Sequence, residues 1–135
     1  MSEIAPPIGI VIAHGGMADG LVGAVRHIAG DSADMLVPIS NEGMSPEDLR
    51  AAIDRAADGG SAVVFVDLQA GSCCTAALAS CRACSDRVVL TGVNLPMLID
   101  FVFNRTRPFE ELVDRLVERS RDAIRPVRVD AGRGA

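Results

Sequence analysis

A histidine followed by two glycines, His14-Gly15-Gly16, ends the first apolar run of the chain, Ile8–Ala13. An apolar run that leads into glycines and then into a helical pattern, Met17–Ala29, predicts a buried strand, a tight turn and a helix. Open parallel sheets bind their ligands at the carboxyl ends of strands. Gly15 and Gly16 let backbone N–H groups approach an anion, and the helix start adds a partial positive charge. A nucleophilic imidazole beside such a turn indicates phosphoryl chemistry on His14.

A second polar turn, residues 67–72, follows the β-branched run Ala62–Val66. Asp67 is the candidate partner of His14, because a carboxylate on one imidazole nitrogen fixes the tautomer and stabilises the cationic product. Its alternative role is to cap its own turn, where Asp is common. Gly71 and Ser72 precede the next predicted helix, so we expect them to bind phosphate oxygens at its N-terminus. A plain N-cap is a compatible role for Ser72.

The turn Thr91–Asn94 follows the fourth predicted strand, and we expect Thr91 and Asn94 to form a wall of the site. The second histidine, His27, falls in mid-helix and is expected at the surface. The cysteines are Cys73, Cys74, Cys81 and Cys84. Thiols on one straight helix cannot easily surround a tetrahedral zinc ion, so we interpret them as reduced, helix-packing side chains. We therefore expect no metal and no cofactor.

Composition excludes several classes of protein. The 135 residues carry a net charge of −5 and include no Trp, no Tyr and four Phe. Acidity and the scarcity of aromatic side chains argue against nucleic acid as a partner. All 13 basic residues are Arg, which excludes Schiff-base chemistry and the lysine of a Walker-type loop. With no long apolar segment and no signal pattern, the sequence predicts a cytoplasmic protein.

Strand and helix patterns alternate four times. The remaining predicted strands cover residues 35–39 and 87–90. The remaining predicted helices begin at Pro46, directly after the cap Ser72, at Leu95 and at Phe109, and they end near Asp58, Cys84, Phe103 and Ile124. The prediction is a doubly wound three-layer α/β sandwich of four parallel strands, with a short antiparallel edge strand at residues 126–130. Residues 1–7 are interpreted as a lead-in, 8–130 as one domain and 131–135 as a tail. Strands one, three and four then bring His14, Asp67 and Thr91 to one edge.

Four segments resemble a known family, the enzyme IIA component of the mannose/sorbose type of the bacterial phosphoenolpyruvate-dependent sugar phosphotransferase system. The first reads Ile-Val-Ile-Ala-His-Gly at 10–15 with Ala-Asp-Gly-Leu at 18–21, and the second reads Ser-Pro-Glu-Asp-Leu at 45–49. The third reads Val-Phe-Val-Asp-Leu at 64–68 with Gly71-Ser72, and the fourth reads Thr-Gly-Val-Asn-Leu-Pro-Met at 91–97. The last segment is the most specific, and the resemblance covers about residues 8–130.

The resemblance implies a phosphotransferase component with a phosphohistidine intermediate. His14 would receive phosphate from the carrier HPr and pass it to a IIB protein, with an indirect link to membrane IIC and IID proteins. It also implies a homodimer that exchanges the short strand at residues 126–130. Two alternatives stay open: the related phosphocarrier subunit of a dihydroxyacetone kinase, and a regulatory binding module of the same fold that has lost phosphoryl transfer.

The turn after strand three differs from the family pattern. Family members usually read Asp-Leu-aromatic-Gly-Gly-Ser-Pro there, whereas this chain has Gln69 and Ala70 in the third and fourth positions and Cys73 in place of proline. The usual Asn shortly afterwards is Thr75. A second glycine, Gly16, follows His14-Gly15 where the family often has a side chain. These differences lie beside the predicted site.

Overall fold

The computed structural model describes residues 5–82, 84 and 86–130. Its strands are β1 (Ile8–Ala13), β2 (Leu36–Ser40), β3 (Ala62–Val66) and β4 (Arg87–Thr91). Its helices are α1 (Met17–Ala29), α2 (Pro46–Ala57), α3 (Ser72–Arg82), α4 (Leu95–Asn104) and α5 (Phe109–Asp122), with a 3-10 helix at Gly30–Met35. No helix in the described ranges has both the length and the apolar character needed to cross a membrane.

The four strands form one parallel sheet in the order β2-β1-β3-β4. The chain runs outward from β1 to β2, returns past β1 to β3, and then continues to β4. The direction of winding therefore reverses between β1 and β3. In doubly wound folds a crevice opens at that reversal, outside the carboxyl ends of the strands, and ligands bind there.

Helices cover both faces of the sheet. One hydrophobic cluster joins alternate sheet residues such as Val11 and Phe65 to α1, α4 and α5, and the other joins Ile12 and Val64 to α2 and α3. β1 and β3 are almost entirely buried, as expected for central parallel strands covered on both sides. This confirms the predicted three-layer architecture and its parallel sheet.

The absence of a side chain at Gly9 is needed for packing on β1. A Cβ placed there would lie 2.6 Å from Leu36 Cδ2 and 2.7 Å from Phe101 Cε2. Phe101 uses this space to meet Phe65 edge-on, with ring centroids 5.2 Å apart. The single glycine inside the first apolar run thus lets α4 pack close to the sheet.

Element boundaries agree with the sequence to within two residues. β1, α1 and β3 have the predicted limits, while β2 begins one residue late because Met35 ends the unpredicted 3-10 helix. α3 ends at Arg82, before the predicted Cys84, and α5 ends at Asp122, before Ile124. The predicted start of α2 is confirmed in detail, since Ser45 and Asp48 form a reciprocal capping box ahead of Pro46.

The predicted edge strand is not formed within the single chain. Residues 124–130 have no regular structure, and Val127 and Val129 are 91% and 84% exposed. The start of the predicted lead-in (residues 1–4) and the predicted tail (131–135) lie outside the described residues. The last three residues of the lead-in are described, and the carbonyl of each accepts a hydrogen bond. Ser61 Oγ donates to Ala5, and Arg105 donates to Pro6 and Pro7.

Candidate active site

The strand register brings His14 and Asp67 together. Ile12 of β1 pairs with Val66 of β3, so the residues that follow the two strands emerge side by side at the carboxyl edge. This edge is the point where the winding of the sheet reverses. The sequence prediction that His14 and Asp67 converge is confirmed, although they are 53 residues apart in the chain.

Asp67 holds the histidine through both its backbone and its ring. The carboxylate oxygen Oδ2 lies 2.8 Å from His14 Nδ1 and accepts the backbone N–H of His14 at 3.0 Å. The other oxygen, Oδ1, accepts the N–H of Leu68 at 3.0 Å. The alternative role of Asp67, capping its own turn, is therefore performed by one oxygen while the other orients the imidazole.

The charge of Asp67 determines the tautomer of His14. Burial opposes ionisation, but hydrogen bonds from the His14 backbone and ring, the His14 charge and the Leu68 N–H together lower the pKa of Asp67 below its usual 3.8. An ionised carboxylate only accepts hydrogen bonds, so Nδ1 must be the donor. In neutral imidazole the proton then resides on Nδ1, and Nε2 carries the free lone pair. Among the described residues, Nε2 has no hydrogen-bond partner.

The loop after β2 fixes the turn that carries His14. Gly15 adopts a left-handed backbone conformation, with φ of +58°, which glycine allows. Its N–H donates to Asn41 Oδ1 at 3.1 Å, and its carbonyl accepts from Ser40 Oγ at 2.9 Å. Ser40 Oγ in turn accepts the N–H of Glu42. The backbone N–H and C=O of Gly15 are thus both satisfied by side chains at the end of β2 and directly after it.

Ser40 and Asn41 were missed as site residues by the sequence reasoning, which assigned both only to a polar loop. The available signal was their position directly after a strand. That signal identifies the two residues only if β2 is known to lie beside β1, where Ala13 pairs with Ser40. The Gly15 N–H already donates to Asn41 Oδ1, so its predicted contact with an anion requires that hydrogen bond to be exchanged.

The N-terminus of α3 lies beside the imidazole ring. A Cβ placed on Gly71 would be 3.7 Å from both Nε2 and Cε1 of His14, and Gly71 has a φ of +99°. Ser72 is the first residue of α3, and the carbonyl of Gly71 accepts both the N–H and the hydroxyl of Thr75. The free N–H groups of the first helical turn carry a partial positive charge. The geometry therefore places an electropositive helix end next to Nε2, as an acceptor of phosphate requires.

Gly16, Thr91 and Asn94 are the remaining predicted site residues, and they differ in their contacts. Gly16 is the N-cap of α1, two residues after His14, and is exposed. Thr91 pairs with Val66 and so ends β4 on the same edge. Asn94 instead caps α4 through the N–H of Met97 and donates to the carbonyl of Ser120. Its side chain is thus engaged by α4 and α5, and no described hydrogen bond connects it to His14.

The thiol nearest the site is poorly suited to act as the nucleophile. Burial raises the pKa of Cys73, the negative charge of Asp67 raises it further, and a hydrogen bond from Ser72 opposes the shift. Cys73 and Cys74 are buried in the α2–α3 face of the core, as predicted for packing thiols. His27 is exposed on α1. His14 is therefore the nucleophile that the geometry favours.

The imidazole is accessible to a large partner. The side chain of His14 is 44% exposed, whereas that of Asp67 is only 7% exposed. Two neighbouring apolar side chains, Met17 and Leu68, are 42% and 58% exposed. Exposed apolar side chains around a reactive group are typical of sites that dock other proteins.

Comparison with known proteins identifies the family of the chain. The model of the EIIA-man family, described as the PTS system fructose IIA component, matches residues 9–119. No curated protein gives a significant match.

Solved structures of phosphotransferase proteins share the fold. Component EIIA from Streptococcus agalactiae is 32% identical, with a TM-score of 0.82 over 88% of this chain and 95% of that one. The mannose/sorbose specific IIA subunit from Enterococcus faecalis is 22% identical, with a TM-score of 0.82 over 93% and 98%. The PTS IIA protein associated with the fucose utilization operon of Streptococcus pneumoniae is 17% identical, with a TM-score of 0.72 over 92% and 96%. The family match spans β1 to α5, and the chain therefore belongs to the mannose-type IIA family of the phosphotransferase system.

Proposed function

We propose that this chain is a cytosolic phosphocarrier of a sugar phosphotransferase system, with His14 as the phosphate-accepting residue. HPr is the proposed donor and a IIB protein the proposed acceptor, which in turn serves membrane IIC and IID proteins. The observation that carries the proposal is the hydrogen bond between His14 Nδ1 and Asp67. It leaves Nε2 as an unprotonated, exposed nucleophile beside a helix N-terminus.

The proposed step is an in-line displacement at phosphorus. The Nε2 lone pair of His14 forms the new N–P bond while the bond between phosphorus and the donor breaks, and its electron pair stays with the donor. The ring acquires positive charge, which the carboxylate of Asp67 stabilises through Nδ1–H. The proton stays between Nδ1 and Asp67, so the reverse displacement, donation to IIB, needs no proton transfer at His14.

The start of α3 supports the proposed binding of the transferred phosphoryl group. Gly71 has no side chain to obstruct the approach to Nε2, and the Ser72 hydroxyl and first-turn N–H groups suit phosphate oxygens. Neither Gly15 N–H nor the Asn94 side chain is assigned to phosphate in this proposal, because both have partners within the protein. Gly16 remains a proposed phosphate contact through its backbone, and Thr91 remains a proposed wall of the site.

Phosphoryl acceptance should occur at His14 alone. The full chain, incubated with phosphoenolpyruvate, enzyme I and HPr, should gain one phosphate in an acid-labile, base-stable linkage, measured by intact mass and peptide mapping. His14→Gln should abolish the gain, and the matched His27→Gln variant should keep it. Phosphate on His27 contradicts the assignment of His14. No phosphate with several HPr proteins contradicts the carrier proposal and favours the regulatory binding module.

Asp67→Asn should slow phosphoryl acceptance by about a hundredfold or more, the usual range for loss of a group that controls a reacting proton. The neutral amide no longer requires Nδ1 to be the donor, so ¹⁵N NMR should show a larger fraction of His14 with its proton on Nε2. Asp58→Asn, at an exposed helix end, is the matched control. Unchanged rate and unchanged tautomer in Asp67→Asn would reduce Asp67 to a turn residue.

The difference in stability between wild type and Asp67→Asn should depend on pH. The folded state lowers the pKa of Asp67 below its usual 3.8, so its ionised form stabilises the fold fully above that value. This contribution is lost as the pH falls through the lower, folded pKa. The difference in free energy of unfolding between wild type and Asp67→Asn should therefore shrink below about pH 3.8, measured by urea unfolding.

We also propose a homodimer in which residues 126–130 pair with β4 of the second copy. In the described sheet β4 has one unpaired edge, and a cleft of about 270 Å³ between β4 and α5 includes Leu90, Val117 and Ile124. Val127 and Val129 alternate with polar residues, the pattern of a half-buried strand. An exchanged strand would cover an edge that otherwise invites aggregation.

Light scattering should report a dimer at micromolar concentration. The double variant Val127→Asp/Val129→Asp should shift it to monomer, because two charges would be buried where the apolar side chains Leu90, Val117 and Ile124 line the cleft. Ile28→Asp, on an exposed position of α1, is the control and should stay dimeric. A wild-type monomer, or a double variant as dimeric as wild type, would reject strand exchange.

A further inference from the structure

Cys73 adds a third possible metal ligand beside His14 and Asp67. One nitrogen of His14, one oxygen of Asp67 and Sγ of Cys73 all lie within 4.8 Å of one another. The three residues come from the end of β1, the end of β3 and the first turn of α3, so the fold itself brings them together. The sequence prediction of no metal considered the cysteines of α3 as a set, whereas this cluster uses only one of them.

The ligand types and spacing suit zinc. Imidazole nitrogen, carboxylate oxygen and thiolate sulfur all bind Zn²⁺, at about 2.0–2.3 Å. Those lengths place ligand atoms about 3.3–3.8 Å apart around a tetrahedral ion. Separations of at most 4.8 Å therefore have to shrink by no more than about 1.5 Å. The half-exposed His14 ring can make that adjustment. Two anionic ligands balance the charge of the ion, and a thiolate disfavours the hard cations Mg²⁺ and Ca²⁺.

We propose that His14, Asp67 and Cys73 bind Zn²⁺ with one open coordination position, and that the bound ion prevents phosphoryl acceptance. On binding, the thiol of Cys73 releases its proton to solvent. If Nε2 is the ligand, the nucleophilic lone pair of His14 is used directly. If Nδ1 is the ligand, its proton moves to Nε2, which again has no lone pair for attack.

Metal binding can be tested without any phosphoryl-transfer assay. Co²⁺, a spectroscopic substitute for Zn²⁺, is titrated into the metal-free full chain. Wild type should show a thiolate-to-cobalt charge-transfer band and the visible bands of a tetrahedral ion at a 1:1 ratio. Cys74→Ala, the neighbouring buried thiol, is the matched control and should keep them. Cys73→Ala should lose the charge-transfer band.

His14→Gln provides a second variant at an exposed position, where folding is not at risk. It should weaken Zn²⁺ binding, measured by competition with a chromogenic chelator, by at least about tenfold, the smallest loss usual even for groups that only support a ligand. Absence of the charge-transfer band in wild type, its persistence in Cys73→Ala, or unchanged affinity in His14→Gln would each overturn the metal site.

The inhibitory effect rests on the proposed function and has its own readout. Each protein's rate of phosphate gain is compared with and without Zn²⁺, using HPr phosphorylated beforehand and freed of enzyme I. For wild type and Cys74→Ala, the rate with Zn²⁺ should be at least tenfold lower than the rate without it. For Cys73→Ala, the two rates should be nearly equal. Cobalt binding without any phosphate gain would defeat the carrier proposal alone. Equal ratios in all three proteins would overturn inhibition by the metal.

Discussion

The hydrogen bond between His14 Nδ1 and Asp67 Oδ2, 2.8 Å long, is the interaction on which the chemistry of the site depends. A histidine at a strand end has two usable nitrogens and rotates freely, so by itself it is a poorly defined nucleophile. The carboxylate removes both freedoms, because it fixes the ring and holds the proton on one nitrogen. The backbone N–H of His14 bonds to the same oxygen, which ties the strand end to this arrangement.

The neighbouring elements keep this bond in place. Ser40 at the end of β2 and Asn41 directly after it satisfy the backbone N–H and C=O of Gly15, so the turn that carries the imidazole cannot easily rotate. α3 begins beside the ring, and glycine at position 71 leaves room there for an incoming group. The reversal of winding between β1 and β3 makes this possible, since doubly wound sheets bind ligands at the strand ends beside such a reversal, and these ends carry His14 and Asp67.

The sequence predicted the layers, most element boundaries and the pairing of His14 with Asp67. Those predictions rely on local signals: the apolar runs of β1 and β3, the Ser45-Pro46 helix start, and polar residues directly after strands. The roles of Ser40 and Asn41 were missed because they depend on the order of strands in the sheet, which no local pattern reveals. Asn94 was expected in the site wall because it follows the fourth strand; no local pattern showed that its side chain donates to the Ser120 carbonyl of α5.

Cys73 illustrates a different limit of sequence reasoning. As one of four cysteines on a predicted helix, it has a simple explanation as a buried packing residue, and it is indeed buried. Only the three-dimensional arrangement shows that its sulfur shares a small volume with an imidazole and a carboxylate. One residue can therefore pack the core and also bring a third metal ligand to the nucleophile.

The position of the phosphate on the ring tests the central claim most directly. Protein with ¹⁵N-labelled histidine would be phosphorylated by its donor, and ¹⁵N–³¹P coupling would identify the bonded nitrogen. If Asp67 holds Nδ1, the coupling must be to Nε2 of His14. Coupling to Nδ1 would contradict the account, because the nitrogen bound to Asp67 would then be the nucleophile.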